Sequence, residues 1–302
     1  IADMWRGLRI FSIADPDHPT EVAAVLPASA PRDVRVAGDR AYLASEKALL
    51  YVVDIRDPTA PKPRGTLDGF DGGGTILDFS HALDVRGDYA YVLGAPSSTG
   101  ARRMAVVDIR DPYSPAGVRI ISHPAIAGSG WLRVYQDHVY IAGGYSNTGM
   151  VPGAVFDLAV PDDPQPIGDF VFAYDVAFCG YHAIARTQES LCALSLVDPT
   201  NLECVGLADI GGSSLAVSDG TIYVASVTQG IRALRLTIPE PVDLVAESFA
   251  LATLGALPGR PIRFSGTVRN DGPATTIAPV KAEFRGRAVE GGTSGTICDP
   301  LR

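Results

Sequence analysis

One short pattern recurs along this sequence and constrains its fold more than any other feature: a β-branched run that ends at Asp-Pro. The clearest copies are 51–58 (YVVDIRDP) and 105–112 (AVVDIRDP). Other copies, some of them degenerate, end at Pro16, Pro164, Pro199 and Pro241. Consecutive copies lie 35 to 54 residues apart. This spacing is close to the ~40–50 residues of a four-stranded β-propeller blade.

A second pattern, made of a strand, a Gly/Asp turn and another strand, precedes these copies. Residues 33–44 (DVRVAGDRAYLA) show it best, and residues 84–93 repeat it. Gly-Asp and Asp-Gly supply the positive φ that a two-residue hairpin needs. An aromatic residue recurs at one position of the second strand, where we expect it to pack between neighbouring blades. These aromatic residues are Tyr42, Tyr91, Tyr140 and Tyr223.

Together the two patterns define a unit of four strands. Five full units are predicted: 31–68, 80–122, 129–172, 173–208 and 213–248. Residues 7–26 supply only a third and a fourth strand before them. The sequence therefore predicts an all-β fold in which residues 1–242 form a β-propeller of six blades, with seven as the alternative and the first blade incomplete.

The pattern changes after Pro241. Residues 262–272 alternate between apolar and polar side chains and end on a turn, and residues 281–284 form another short alternating segment. We expect residues 243–302 to form a partial immunoglobulin-like β-sandwich or a C-terminal extension.

Charge and hydropathy exclude two classes of partner. The chain has 25 basic and 34 acidic side chains and a formal charge of −9, which argues against a nucleic-acid partner. No apolar run reaches the ~18 residues of a membrane-spanning helix, so we expect no transmembrane segment. The chain starts with Ile1 rather than Met, and we expect its N-terminus to be processed or incomplete.

The four cysteines are Cys179, Cys192, Cys204 and Cys298, and none has the C-x-x-C spacing of a metal site. Cys192 and Cys204 fall in adjacent predicted strands on either side of an Asp-Pro turn. This placement leaves two alternatives, a cross-strand disulfide or two free buried thiols.

The hairpin 52–58, with residues 38–43 before it, resembles the LVIVD-repeat β-propeller family of bacterial and archaeal surface proteins. The resemblance covers about residues 7–241 and departs at 158–164 and 236–241, where the Asp-Pro is displaced or lost. Residues 243–284 are similar to the opening strands of a CARDB-type immunoglobulin-like adhesion module. These resemblances imply an extracellular or surface-attached protein and bring no catalytic residue with them.

Three aspartates, Asp33, Asp84 and Asp175, share one position at the start of the innermost strand in the sequence alignment of the units. A ring of carboxylates at the channel mouth could hold Ca²⁺, which binds several oxygen ligands. Alternatively, each aspartate accepts hydrogen bonds from the loop that enters its blade. We favour the structural role, because Leu132 and Ser214 stand at the equivalent positions of the other units.

Other candidate residues carry weaker signals. Asp54, Asp108 and Asp157 recur at strand ends, where we expect a structural role. His81 is predicted to face the channel mouth and is the histidine on which a site would depend. The sequence has no His-x-x-x-His zinc spacing, no Gly-x-Ser-x-Gly elbow and no phosphate-binding Gly-x-Gly-x-x-Gly before a helix. We therefore predict no catalytic residue and no cofactor, with Ca²⁺ as the alternative.

These observations favour a non-catalytic extracellular or cell-surface interaction or scaffold protein. Its propeller face would bind protein or surface-polymer partners or further copies of the chain. Trp131, Tyr145 and Phe70 are the candidate aromatic anchors, and packing between blades is the alternative role for them.

Two other functions stay open. One is a hydrolase-type enzyme or divalent-cation-binding module at the channel mouth, with the candidate residues Asp33, His81, Asp84 and Asp175. The other is a structural subunit of a larger surface assembly, in which an exposed strand edge pairs with a neighbouring chain.

Overall fold

A computed structural model describes residues 1–25, 30–71, 76–146, 149–187, 190–218, 220–226, 230–235, 244–251 and 264–270, with the backbone alone for 145–146, 244–251 and 264–270. The chain is all-β, with 59% strand and 2% helix, and its sheets form six blades in a ring. The six-bladed β-propeller predicted from the repeats is confirmed.

Blades 1 to 3 are antiparallel sheets whose strands neighbour one another in sequence order. In chain order, the strands are β1 (Ala2–Asp3), β2 (Gly7–Ser12) and β3 (Thr20–Val25) in blade 1; β4 (Pro31–Ala37), β5 (Arg40–Ser45), β6 (Leu50–Asp54) and β7 (Lys62–Leu67) in blade 2; β8 (Phe70–Asp71) and β9 (Ile76–Leu77) in a connecting hairpin; and β10 (Phe79–Arg86), β11 (Tyr89–Ala95), β12 (Arg103–Asp108) and β13 (Ala116–Ile121) in blade 3.

Blades 4 to 6 repeat the arrangement after a short helix, α1 (Pro124–Gly128). Blade 4 holds β14 (Leu132–Tyr135), β15 (His138–Ile141), β18 (Gly153–Asp157) and β19 (Gln165–Phe170), with the hairpin of β16 (Gly144–Ser146) and β17 (Gly149–Val151) inserted; blade 5 holds β20 (Asp175–Cys179), β21 (His182–Arg186), β22 (Leu191–Ser195) and β23 (Cys204–Ala208); and blade 6 holds β24 (Ser214–Ser218), β25 (Thr221–Ser226) and β26 (Gly230–Arg235). The inner strands are β4, β10, β14, β20 and β24.

The uninterrupted apolar run of the repeat follows from its place in the blade. Val52 and Val53 are adjacent in β6 and point to opposite faces of the sheet. Val52 packs in the cluster between blades 2 and 3, whereas Val53 packs in the cluster between blades 1 and 2. Because both faces of the sheet are covered, both residues are buried and the alternation of polar and apolar side chains disappears.

The recurring tyrosines pack as predicted in three of the four blades. Tyr42, Tyr91 and Tyr140 are at most 2% exposed. The Tyr91 hydroxyl also donates to the carbonyl oxygen of Pro161 in blade 4, at 2.9 Å. The prediction was wrong for Tyr223, which is 41% exposed in the last blade.

Two aspartates build the Asp-Pro turns of blades 2 and 3, whereas Ser12 and Ser195 take the place of the first aspartate in blades 1 and 5. In blade 2, Asp54 Oδ1 accepts from the Arg56 N–H at 3.1 Å, and Asp57 Oδ1 accepts from the Thr59 N–H at 3.0 Å. Both contacts close a local turn around the side chain. The same contacts recur at Asp108 and Asp157 for the first aspartate, and at Asp15, Asp111 and Asp198 for the second. The repeat aspartates therefore hold the turns.

Close packing of the blades explains a glycine in the outer strand. Gly65 lies opposite Val52, and a Cβ atom on it would lie 2.2 Å from the carbonyl oxygen of Pro112 in the next blade. Gly206 lies opposite Ala193 at the same register position in blade 5, where the nearest atom to an added Cβ is 3.6 Å away. Only the first of these positions requires glycine.

The structure corrects the sequence analysis at both ends of the repeat array. Blade 1 has a third strand, β1, in which Ala2 pairs with Leu8, so residues 7–26 are not its whole contribution. The last strand of unit 213–248 was wrongly assigned, because β27 (Leu244–Leu251) pairs with β28 (Phe264–Asn270). Most of segment 243–302 lies outside the described residues, and the immunoglobulin-like module stays a prediction.

Candidate functional site

The inner strands bring the predicted aspartates to the channel at two levels instead of one. A level here means a register position along the inner strand, counted from its hairpin turn. Asp84 pairs with Tyr91, which places it level with Arg35 of blade 2. Asp33 and Asp175 lie one pleat further from the hairpin. The prediction that all three share one position was therefore wrong for Asp84. The physical reason is the length of the strand, since the turn glycine follows Asp33 by five residues but follows Asp84 by three.

Each of these aspartates forms what we call an inter-blade latch, in which Oδ2 accepts the backbone N–H of the next inner strand. The inner strand has no neighbour on its channel side, so alternate N–H groups along that edge need another acceptor. The latches join Asp33 to Leu83 at 3.2 Å, Asp84 to Val134 at 2.8 Å and Asp175 to Leu215 at 3.0 Å. The acceptor role was predicted, but the donors belong to the following blade and not to the entering loop.

Arginines also contact the carboxylates of the first two latches. Arg35 Nη1 lies 3.1 Å from Asp33 Oδ1, and Arg35 Nε lies 3.6 Å from Asp84 Oδ1. Arg133 Nη1 lies 3.2 Å from Asp33 Oδ2. Burial raises the pKa of both carboxyls, and Arg35 and the backbone donors oppose this effect. In the part of the chain that the structure describes, no group of three or more His, Cys, Asp or Glu side chains could hold a metal ion.

His81 lies apart from the aspartates with which it was grouped. Its ring makes an edge contact with Phe79, with the centroids 4.9 Å apart. Burial, followed by the charges of Arg102 and Arg32, lowers the pKa of His81 to about 4, while Glu46 opposes them. Within the described residues His81 makes no hydrogen bond to any of the three aspartates. The structure therefore does not assemble an acid–base pair from these candidates.

A cavity of about 460 Å³ opens at the channel mouth, between blades 4, 5 and 6. Of the predicted site residues, only Asp175 lines it; Trp131, a predicted anchor, forms one wall. The other lining residues with polar or aromatic side chains are Arg133, Tyr174, Phe178, Arg186, Ser213 and Ser214. We call this cavity the mouth pocket.

Aromatic rings orient both arginines of the mouth pocket. The guanidinium carbon of Arg133 lies 5.4 Å from the ring centroid of Trp131, and that of Arg186 lies 5.0 Å from the centroid of Tyr174. Stacking of this kind holds a guanidinium in a fixed plane. Arg186 Nη1 donates to the Gly212 carbonyl oxygen at 2.9 Å.

The charge of Arg186 is poorly compensated. Its Nε is buried and has no hydrogen-bond partner, and among the described residues no carboxylate lies within salt-bridge distance of its guanidinium. Burial lowers the pKa of Arg186, with Asp175 opposing this effect. A partly desolvated guanidinium without an anion is an energetically costly arrangement in a folded protein.

Sequence reasoning missed Arg133, Arg186 and Tyr174. The missed signal is an exchange of residue types in blade 4, where Trp131 and Arg133 occupy the two levels that Asp33 and Asp84 occupy in blades 2 and 3. An alignment based on the hairpin turns, and not on the aspartates, would have shown that a tryptophan and an arginine stand at these levels in blade 4 where the other blades have aspartates.

The other predicted anchors do not form a surface site in the described structure. Trp131 is only 8% exposed, and Phe70 packs against the cluster between blades 2 and 3. The side chain of Tyr145 lies outside the described residues. Packing between blades is therefore the role of Phe70, and Trp131 combines packing with a place in the pocket wall.

The structure joins Cys192 and Cys204 by a disulfide, with their Cα atoms 5.8 Å apart. The bridge links the third and outer strands of blade 5 across the Asp198-Pro199 turn. No free cysteine is present among the described residues. No helix in the described part of the chain has the length and apolar character needed to cross a membrane.

Sequence comparison supports the repeat. The family model of the LVIVD repeat matches residues 30–68, which correspond to blade 2. No curated protein matches the chain. By fold and repeat, this is a six-bladed β-propeller protein that carries an LVIVD repeat.

Solved structures show the same fold at low sequence identity. A proposed 6-phosphogluconolactonase from Bacteroides fragilis is 12% identical with a TM-score of 0.56, and the alignment covers 75% of this chain and 72% of that one. The propeller domain of Cps50 (Swd1) from Myceliophteria thermophila is 12% identical, with a TM-score of 0.52 and coverages of 71% and 72%. A Lactobacillus plantarum protein is 16% identical, with a TM-score of 0.52 and coverages of 76% for both chains. The chain spans 57% of the designed protein Ika8. At these identities the likeness concerns the fold alone.

Proposed function

We propose that this chain is a non-catalytic interaction protein of the cell surface or extracellular space, which binds its partners with the propeller face around the channel mouth. The engagement of two channel carboxylates, Asp33 and Asp84, carries the proposal. Asp33 and Asp84 accept backbone N–H groups and pair with arginines, so neither is free to act as a general acid or base. His81, the candidate base, lies outside this network.

Two observations support an extracellular location. The Cys192–Cys204 disulfide is typical of an oxidising compartment. The LVIVD match at residues 30–68 agrees with the resemblance to surface proteins. The proposed immunoglobulin-like segment 243–302 would space or anchor the propeller, and the partners would be proteins, surface polymers or further copies of the chain.

A hydrolysis panel tests the absence of catalysis. The purified, oxidised chain is incubated with nitrophenyl esters, nitrophenyl glycosides and sugar lactones, the last including 6-phosphogluconolactone. We expect rates equal to those in buffer. A higher rate that Asp84→Asn or Asp175→Asn abolishes, in variants whose circular dichroism matches the wild type, would establish the hydrolase alternative. The lactone is included because proposed 6-phosphogluconolactonases share the fold.

A binding screen tests the interaction role. Purified surface polysaccharides, acidic and neutral, are immobilised on a sensor, and the wild-type chain is passed over them. We expect saturable binding to at least one acidic polymer. Binding to none of them, with no self-association by analytical ultracentrifugation, would contradict surface polymers and further copies of the chain as partners.

Thiol trapping in cells of the source organism tests the compartment. Alkylation before lysis, followed by peptide mass spectrometry, measures the redox state of Cys192 and Cys204. We expect the linked peptide. Alkylated free thiols at both positions would place the chain in a reducing compartment and overturn the extracellular proposal.

A further inference from the structure

The mouth pocket lies at the one junction among the described inner strands of blades 2 to 6 that lacks an inter-blade latch. Latches join blades 2 to 3, 3 to 4 and 5 to 6. At the junction of blades 4 and 5, the latch levels of blade 4 hold Trp131 and Arg133, and neither side chain can accept a hydrogen bond from a backbone N–H.

Blade 5 nevertheless presents the donor that a latch would use. Val176 pairs with Ala185 in blade 5, and Leu215 pairs with Val224 in blade 6. The N–H groups of Val176 and Leu215 therefore occupy the same register position in their blades. Since the Leu215 N–H points to the channel and binds Asp175, the Val176 N–H lies on the same channel-facing edge. Val176 also lines the mouth pocket.

The pocket thus combines two arginines with a backbone N–H for which blade 4 supplies no latch aspartate. Its charged lining consists of Arg133, Arg186 and Asp175, a net charge of +1 in a chain whose total is −9. Within the described residues Arg186 forms no salt bridge and gives Nη1 to the Gly212 carbonyl oxygen, and Arg133 keeps donors beyond the Nη1 that it gives to Asp33 and Leu132. We infer that a carboxylate from outside the chain binds here, in the place of the missing latch aspartate.

The rest of the lining indicates what carries that carboxylate. Trp131 and Phe178 offer apolar ring surface, while Ser213 and Asp175 offer polar atoms that can bind hydroxyl groups. Asp175 uses Oδ2 for its latch and for the Ser214 hydroxyl, and Oδ1 has no partner in the described structure. A volume of about 460 Å³ accommodates one sugar ring. The structure assigns the site to a sugar carboxylate, a hexuronate, either free or at the end of an acidic polymer.

This assignment rests on the proposed binding function and specifies its ligand class. Isothermal titration calorimetry tests it with glucuronate and galacturonate as probes, and with glucose and inorganic phosphate as comparisons. We expect one of the uronates to bind. We expect glucose to bind at least about tenfold more weakly, because it leaves the guanidinium groups without their charged partner.

Variants separate the pocket from other positive charge on the surface. Arg186→Gln is expected to weaken uronate binding at least about tenfold. The matched control is Arg119→Gln. Arg119 lies on the outer strand of blade 3, away from the mouth pocket, and pairs with Asp163. This control should leave binding unchanged. Circular dichroism and thermal melting of each variant confirm that it is folded.

Each outcome decides the assignment. The assignment is overturned if glucose binds as tightly as uronate, if phosphate binds more tightly than uronate, or if neither uronate binds. It is also overturned if a folded Arg186→Gln variant binds uronate as the wild type does. A pectic tri-uronate and its monomer distinguish a polymer end from a free sugar, since only a polymer-end site binds the trimer more tightly. If the uronate fails but an acidic polymer still binds, the ligand assignment falls and the proposed function stands. Turnover of a uronate-linked substrate would overturn the non-catalytic function and leave the site in place.

Discussion

The latch of Asp84 makes a prediction that separates hydrogen bonding from charge. Asp84 accepts the N–H of Val134 and that of Val85, each at 2.8 Å, and its side chain is 15% exposed. Asp84→Ala removes both acceptors. Asp84→Asn keeps one amide oxygen for the Val134 N–H and removes the charge that burial disfavours, as the raised pKa of Asp84 shows.

The expected magnitudes follow from these contacts. A hydrogen bond to a charged group contributes ~1.5–3 kcal/mol, so two of them set an upper bound of ~3–6 kcal/mol for the alanine variant. The desolvation of the carboxylate and access of water to the channel edge reduce this value. We expect Asp84→Ala to lower the free energy of unfolding by ~2–3 kcal/mol, and Asp84→Asn by less than ~1 kcal/mol.

Urea unfolding under non-reducing conditions, followed by tryptophan fluorescence and circular dichroism, measures both variants. Asp17→Ala is the control, because Asp17 is an exposed residue in the blade 1 turn. The latch argument fails if Asp84→Ala unfolds within ~0.5 kcal/mol of the wild type, or if Asn and Ala cost the same. The second result would show that the charge, and not the acceptor, stabilises the junction.

Three further predictions concern other parts of the propeller. Burial lowers the pKa of His81 to about 4, so the protein should lose stability as the pH falls from about 6.5 towards 4, since the unfolded chain binds the proton first. The His81 contribution should be ~1–2 kcal/mol after solvent screening of the half-buried ring. In pH-dependent urea unfolding, His81→Gln should show a loss smaller by this amount, because His138 and His182, whose pKa values burial also lowers, remain. Loss of the Cys192–Cys204 bridge, whose cysteines are 12 residues apart, should cost ~3 kcal/mol in the same urea assay. Because Cys179 is also disulfide-bonded, a Cys192→Ser/Cys204→Ser chain should lose ~3 kcal/mol less than the wild type when reductant is added. Gly65→Ala should destabilise the fold by more than ~2 kcal/mol because its Cβ meets backbone of the next blade, whereas Gly206→Ala should cost less than ~1 kcal/mol; equal melting temperatures for the two variants would contradict the packing argument.

The fold could be predicted from the sequence because the repeat reflects short-range conformational preferences. The β-branched run, the Asp-Pro turn and the Gly-Asp hairpin each act within a few residues, and their recurrence counts the blades. The same locality explains the error at Asp84. The inner strand of blade 3 is two residues shorter after its aspartate than that of blade 2. The sequence motif is therefore similar in the two blades, but the aspartate lies at a different level in the channel.

The candidate site depended on contacts between blades, which a single sequence does not encode in its spacing. The Val134 N–H that Asp84 binds lies 50 residues away along the chain. Arg133 and Arg186 come from separate blades, and nothing in their immediate neighbours marks either one as part of a pocket. By contrast, the aromatic residue at position 131 was predicted to matter, and the structure places it in the pocket wall.

The latches share a direction, since every carboxylate binds the blade that follows its own. A duplicated blade would therefore carry the aspartate that binds the next blade and would also present the N–H group that the preceding aspartate binds. A change in the number of blades need not leave a junction without a latch. Substitution within one copy acts differently, because it opens a single junction while its neighbours stay closed. Blade 4 shows the result of such a difference, because its latch levels hold Trp131 and Arg133 instead of an aspartate and its junction with blade 5 has no latch.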